Sequence, residues 1–108
     1  MPSRFAHPVE AELAEIFDEL GIAWEYEPHT FVLERDEQGN VTEAFTPDFY
    51  LPESDVYVEC TTMRQRLTPR KNRKLRKLRE RSVVVGILYR RDFARLRERH
   101  GFPFRHAA

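Results

Sequence analysis

Two carboxylates in the middle of the sequence have the type and spacing expected of a cation site. Asp48 follows a proline at the start of a short apolar segment, and Glu59 lies eleven residues further on in a second apolar segment. On neighbouring strands they would project from one sheet face, where two carboxylates repel each other unless a proton or a divalent cation intervenes. Oxygen ligands favour Mg²⁺ or Mn²⁺, and the Cys60 carbonyl would add another oxygen. Alternatively, Glu59 is exposed and pairs with an arginine.

Basic residues are concentrated after these carboxylates. Residues 1–63 hold 15 acidic and 2 basic residues, whereas residues 64–108 hold 16 basic and 3 acidic residues. Such asymmetry indicates a polyanionic partner, and forked guanidinium groups suit phosphate oxygens. The alternative is that the basic half pairs with the acidic half within the fold. The candidate nucleic-acid-binding residues are Arg64, Gln65, Arg66, Arg70, Lys71, Arg73, Lys74 and Lys77.

Three helices are predicted around these residues. Apolar residues at three- and four-residue spacing predict a helix over residues 8–20, which Gly21 would end. Thr68 and Pro69 have the residue types of an N-cap and a first helical position, so a basic helix is expected over residues 69–80. A short helix is predicted over residues 92–100.

Strands account for most of the remaining chain. Residues 22–34, 44–51 and 55–61 are predicted as three strands, the last with Val58 and Cys60 on one face and Glu59 on the other. Residues 83–89 are apolar on both faces, which is typical of a strand in the middle of a covered sheet. The prediction is a single α/β domain over residues 1–108, with a right-handed crossover between the last two strands.

The paired carboxylates resemble the signature of a nuclease superfamily. Pro47-Asp48, followed by Glu59-Cys60-Thr61, is similar to the motif of the PD-(D/E)XK superfamily, and the element order over residues 8–89 is similar to its core. The resemblance implies an αβββαβ restriction-endonuclease-like core with a C-terminal helix and a mixed central sheet. It also implies Mg²⁺-dependent phosphodiester hydrolysis. A glutamate on the first helix often joins the acidic cluster, for which Glu10 is the best match and Glu12 a competing choice.

The sequence departs from the superfamily pattern at one position. The superfamily's lysine falls at residue 61, which is Thr61 here, and a hydroxyl brings no positive charge. Lys71 and Lys74 lie three residues apart on the helix face turned toward the sheet, whereas Lys77 points elsewhere. We expect Lys74, ahead of Lys71, to substitute for the missing lysine. The same departure favours the alternative of an inactive nuclease-fold module for nucleic-acid binding or assembly.

The composition of the chain excludes several other classes of protein. Cys60 is the sole cysteine, which excludes an internal disulfide framework and a cysteine-rich zinc site, and its position predicts a core residue. The longest apolar run is far too short to cross a bilayer, and the N-terminus lacks an apolar signal segment. We therefore expect a cytoplasmic protein with no membrane partner. DNA is favoured over RNA, and a homodimer or a subunit of a larger complex is compatible with this length.

Overall fold

A computed structural model describes residues 5–61 and 68–99. The helices are α1 (Pro8–Glu19), α2 (Pro69–Glu80) and α3 (Phe93–Arg99), and a 3₁₀ turn over Arg90–Asp92 precedes α3. The strands are β1 (Glu25–Tyr26), β2 (Phe31–Arg35), β3 (Val41–Phe45), β4 (Phe49–Leu51), β5 (Val56–Thr61) and β6 (Val85–Tyr89). No helix within these residues is long and apolar enough to cross a membrane.

The strands form one mixed sheet and one separate hairpin. The four-stranded sheet has the order β1-β4-β5-β6, with β5 and β6 parallel and the other neighbours antiparallel, while β2 and β3 pair in a separate two-stranded sheet. The predicted mixed α/β class is confirmed. The prediction that residues 83–89 form a central strand is wrong, because β6 lies at the edge of the described sheet. β5 is the strand covered on both sides, and all six of its residues are buried.

Two predicted strands are each divided in the structure. Residues 22–34 split into β1 and β2 around Pro28, where the preceding Glu27 has a positive φ of 46°. Residues 44–51 split into β3 and β4 around Pro47, which has no N–H to donate to a ladder. Because of this break, β3 pairs with β2 in the hairpin, whereas β4 pairs with β5 in the four-stranded sheet. Asp48 therefore lies at the point where the chain enters the sheet.

The two faces of the sheet pack against different elements. One face joins α1 and α3 in a core that includes Phe17, Phe49, Val58, Cys60 and Leu96. The other core joins α2 to the β2–β3 hairpin through Leu33, Phe45, Leu75 and Leu78. The predicted alternation in β5 is thus confirmed, since Val58 and Cys60 face the first core. Glu59 faces the side of the sheet where α2 lies.

The basic helix begins and ends with well-defined caps. The hydroxyl of Thr68 accepts a hydrogen bond from the backbone N–H of Lys71 at 3.1 Å, which confirms the predicted N-cap. At the other end the N–H groups of Ser82 and Val83 donate to the carbonyls of Arg79 and Leu78. This pair of bonds is the Schellman arrangement, which needs a residue with positive φ after the helix. Ser82 takes that role with φ of 63°.

Replacing Ser82 with glycine is expected to stabilise the protein. A left-handed conformation costs a residue with a Cβ about 1 kcal/mol or more, and glycine avoids most of this cost. We expect Ser82→Gly to raise the free energy of unfolding by about 0.5–1 kcal/mol, measured by urea unfolding. The matched control is Gly21→Ser at the same position after α1, where φ is 69° and a Cβ would meet no atom within 4 Å. That variant should lose stability, and equal signs for the two changes would contradict the explanation.

Candidate acidic site and basic helix

The structure brings the two predicted carboxylates together. Phe49 pairs with Val58 in the antiparallel ladder, so Asp48 lies opposite Glu59 one step further along. The backbone N–H of Asp48 donates to Oε1 of Glu59 at 3.0 Å, and the backbone N–H of Cys60 donates to Oδ2 of Asp48 at 2.8 Å. Each carboxylate thus bonds the main chain of the other strand. These reciprocal bonds continue the contact between β4 and β5 past the last backbone pair.

Neighbouring elements fix the position of Asp48 further. Its carbonyl accepts a hydrogen bond from the backbone N–H of Glu27 at 2.9 Å, immediately after β1. Pro47, which precedes it, is fully buried, and Glu59 is only 4% exposed. The carboxylates are therefore held by backbone groups on two sides, which limits their freedom to move away from each other.

The ammonium of Lys71 supplies the positive charge at this site. It forms an ion pair with Oε2 of Glu59, and its side chain is about one-third exposed. Lys74 instead donates to the carbonyl oxygen of Ala44 at 3.0 Å. The geometry therefore favours Lys71 over Lys74, the reverse of the expected order, and the role itself stays a prediction. Lys71, nearer the N-terminus of α2, reaches Glu59 of the sheet, whereas Lys74 reaches Ala44 of the hairpin.

Burial and nearby negative charge raise the pKa of Asp48. Burial is the largest cause, followed by the charge of Glu59, and together they raise the pKa of Asp48 to about 8. The charge of Glu10 adds to the rise, whereas the Cys60 N–H and the charge of Lys71 oppose it. Without a metal, Asp48 therefore holds its proton at neutral pH, and Lys71 pairs with Glu59.

Glu10 is the first-helix glutamate whose charge acts on this pair. It is 3% exposed in the first turn of α1, and its Oε1 accepts a hydrogen bond from the hydroxyl of Tyr26 at 2.5 Å. Its Oε2 lies 2.8 Å from Nδ1 of His7. Glu12, the competing choice, instead accepts a hydrogen bond from Nε of Arg90 at 2.9 Å. The contact of Tyr26 with Glu10 joins residues sixteen positions apart, and no sequence pattern predicted it.

The oxygen ligands at this site are of the type that a hard cation prefers, but their arrangement does not form a complete metal site. Among residues 5–61 and 68–99, no group of three or more His, Cys, Asp or Glu side chains lies close enough to hold a metal ion. Asp48 and Glu59 offer carboxylate oxygens, and a divalent cation would take the place of the proton that burial and the charge of Glu59 keep on Asp48. Glu10 would have to turn from Tyr26 and His7 to become a third ligand. The carbonyl of Cys60 stays a predicted ligand.

The thiol of Cys60 takes no part in this chemistry. It is 6% exposed within the core against α1 and α3, as expected of a small core residue. Burial, with the charge of Asp48 as the second cause, raises the pKa of the Cys60 thiol. A protonated, enclosed thiol is a poor nucleophile.

Part of the predicted nucleic-acid surface holds the fold together instead. Nζ of Lys77 lies 2.6 Å from carboxylate oxygens of both Glu34 and Glu43, and Arg73 lies 3.3 Å from Glu43. The hydrogen bond from Lys77 is the largest cause that lowers the pKa of Glu43. Lys77 and Arg73 therefore bind α2 to the hairpin, and the expectation that they bind nucleic acid is not supported by this placement. Lys77 thus points to the hairpin and away from the four-stranded sheet, in line with the expectation that it lies off the face of Lys71.

Some of the other arginines form ion pairs with described carboxylates, whereas others do not. Arg90 and Arg97 pair with Glu12 and Glu19, which favours the alternative that the basic half pairs with the acidic half. Arg95 pairs with Asp92 within the basic half. Within the described part of the chain, exposed arginines of α2 that form no ion pair with a described residue are Arg70, Arg76 and Arg79. Arg64, Gln65 and Arg66 lie outside the described residues.

Comparisons of the chain with models of protein families, with curated proteins and with solved structures found no significant match. The chemistry of the site therefore has to be argued from its own geometry.

Proposed function

We propose that this chain is a metal-dependent phosphodiesterase that acts on DNA, a cytoplasmic single-domain variant of the PD-(D/E)XK fold. The observation that carries the proposal is the reciprocal bonding of Asp48 and Glu59 between β5 and the start of β4, with the ammonium of Lys71 in contact with Glu59. A structural ion pair alone would need one carboxylate. The second carboxylate, Asp48, is protonated in the metal-free site and would release its proton to a divalent cation.

Asp48, Glu59 and Glu10 would hold the Mg²⁺ or Mn²⁺ ion, with the Cys60 carbonyl as a further oxygen. Such an ion lowers the pKa of a coordinated water and offsets charge on a phosphoryl oxygen. Thr61 is 1% exposed and brings no charge, so Lys71 takes the role of the missing lysine. With a cation on the carboxylates, the ammonium of Lys71 would be free to donate to a phosphate oxygen or to orient the attacking water. Lys74 stays the weaker candidate.

Binding of the nucleic-acid backbone is assigned to exposed arginines of α2 that form no ion pair with a described residue, namely Arg70, Arg76 and Arg79. Arg64, Gln65 and Arg66, which come before the helix in the sequence and lie outside the described residues, stay predicted contacts. Each phosphate neutralised by such a residue steepens the dependence of binding on salt by about one unit of slope. These contacts go to the backbone, so they position the substrate without reading its sequence.

A nucleic-acid-binding module without catalysis is the second candidate function. The ion pair between Lys71 and Glu59 favours it, because that pair already satisfies one carboxylate without a metal. The lack of a group of three ligand side chains among residues 5–61 and 68–99 points the same way. The two candidates differ in whether the chain binds a divalent cation.

Titration calorimetry with Mn²⁺ separates the two candidates. An active site is expected to bind the ion with a dissociation constant between micromolar and millimolar values, and Glu59→Gln should abolish the heat because it removes a ligand charge. Glu12→Gln is the matched control, since Glu12 pairs with Arg90 at the surface and should leave Mn²⁺ binding unchanged. A wild-type chain that binds DNA but gives no Mn²⁺ signal would support the module and contradict the hydrolase.

Oligomeric state is a separate part of the proposal. A chain that binds Mn²⁺ but cleaves no DNA by itself would indicate a missing partner subunit, either a second copy or another protein. Sedimentation of the chain with and without DNA measures whether a dimer forms.

A further inference from the structure

A cluster of aromatic rings lies on the same sheet face as Glu59. Tyr50 and Tyr57 are register partners on β4 and β5, with ring centroids 4.7 Å apart. The ring of His29 lies edge-on to both, at 5.6 Å from Tyr50 and 5.9 Å from Tyr57, and its Nδ1 is 2.6 Å from the hydroxyl of Tyr57. We call His29, Tyr50 and Tyr57 the aromatic shelf.

One ring of the shelf, Tyr57, is buried in the protein, whereas His29 and Tyr50 are accessible to solvent. Tyr57 is 8% exposed, and Phe31 packs against it edge to face at 5.3 Å. His29 is exposed and Tyr50 is half-buried, so these two rings present aromatic surface to solvent. The hydroxyl of Tyr50 donates to Asp55 at 2.8 Å, which holds its ring in place. Rings held in this way lose little conformational entropy when a ligand stacks on them.

The distance from the shelf to the acidic pair suits one nucleotide. Tyr57 and Glu59 are two residues apart on β5, which corresponds to about 7 Å along a strand. Tyr50 on β4 pairs with Tyr57, so their rings share the face of Glu59 because side chains alternate along a strand. Asp48, just before β4, bonds the N–H of Cys60 beside Glu59. A phosphate beside the carboxylates would therefore carry its attached base over the rings.

We propose that the aromatic shelf is a base-stacking subsite for one unpaired nucleotide next to the scissile phosphate. The inference rests on the proposed nuclease function and adds the substrate class, a single-stranded or frayed segment. Aromatic rings stack on any base, so this subsite does not select sequence. Glu25, the register partner of Tyr50, and Asp55 border the shelf. Their charges repel further phosphates, which limits the subsite to one base.

Fluorescence anisotropy with labelled single strands tests the subsite without catalysis. In EDTA, the wild-type chain is expected to bind an oligothymidylate about fivefold or more tightly than a fully abasic strand of equal length. An abasic strand with a single thymine should recover most of this difference. His29→Ala and Tyr50→Leu should remove the difference while leaving the affinity for the abasic strand unchanged.

Tyr50→Phe is the matched control for Tyr50→Leu, because it keeps the ring and loses only the bond to Asp55. It should retain the preference for bases, and thermal unfolding of each variant shows that it is folded. A preference that survives both His29→Ala and Tyr50→Leu would overturn the shelf, as would equal wild-type binding of both strands. Either of those results leaves the backbone-binding function standing, whereas no binding of any strand would overturn both.

Discussion

Replacement of Asp48 by asparagine is expected to abolish Mg²⁺-dependent DNA cleavage, with a loss of at least about a thousandfold. The asparagine oxygen can still accept the hydrogen bond from the Cys60 N–H, so the local backbone should persist. What disappears is the negative charge that a divalent cation needs beside Glu59. Cleavage of a labelled duplex and of a single strand over a range of Mg²⁺ concentrations measures the loss. Asp48→Ala and Glu59→Ala should have the same effect, and cleavage that survives these changes would remove the assignment.

The same substitution is expected to stabilise the metal-free protein above neutral pH. An unfolded aspartate has a pKa of about 3.9, whereas burial and Glu59 raise the pKa of Asp48 to about 8 in the folded state. Between these values the folded chain holds a proton that the unfolded chain has lost. The stability that Asp48 contributes is therefore fully present below pH 4 and is lost as pH rises through 8. An amide at this position cannot ionise and avoids the loss.

Urea unfolding in EDTA at several pH values between 5 and 9 checks this expectation. The wild-type free energy of unfolding should fall across the window, and Asp48→Asn should flatten the fall and gain at least about 1 kcal/mol at pH 8. Parallel profiles for the two proteins would show that Asp48 titrates normally. Without a cation, the buried carboxylates lower the free energy of unfolding as pH rises. Such a loss of stability is expected of residues that serve function and not folding.

Local sequence signals predicted the elements whose limits depend on a few neighbouring residues. Thr68 and Pro69 fixed the start of α2, because a cap needs only the residue types at its own position. Alternation within residues 55–61 likewise placed Glu59 on the face opposite Cys60. The contact between Asp48 and Glu59 then followed from one assumption, that the two strands are neighbours, and the ladder of β4 and β5 satisfies it.

Features that depend on the order of strands or on the position of a helix along the sheet were out of reach. Residues 83–89 have the composition of a central strand, yet β6 is an edge strand of the described sheet because the hairpin pairs apart from it. Helical phase put Lys71 and Lys74 on one face and could not say which would reach Glu59. The contacts of Lys77 with Glu34 and Glu43 depend on where the hairpin packs, which no periodicity records.

Lys71→Met is expected to change metal binding and cleavage in opposite directions. The ammonium of Lys71 occupies Oε2 of Glu59, so it competes with a cation for this oxygen. Its removal should tighten Mn²⁺ binding by about fivefold, the factor that about 1 kcal/mol of charge interaction is worth. Cleavage should nevertheless fall by about a hundredfold or more, because the group that donates to the phosphate or the water is gone.

Lys74→Met is the matched control, one turn further along the same face of α2. Lys74 donates to the carbonyl of Ala44 and makes no described contact with either carboxylate, so both measurements should stay near the wild-type values. If Lys74→Met removes cleavage and Lys71→Met does not, the roles of the two lysines are reversed. A Lys71→Met chain that binds Mn²⁺ more tightly and cleaves as fast as wild type would show that Lys71 is only a counterion. If Lys71 pairs with Glu59 in the metal-free protein and acts on the substrate in the complex, Lys71→Met must tighten Mn²⁺ binding and slow cleavage. Lys74→Met must do neither.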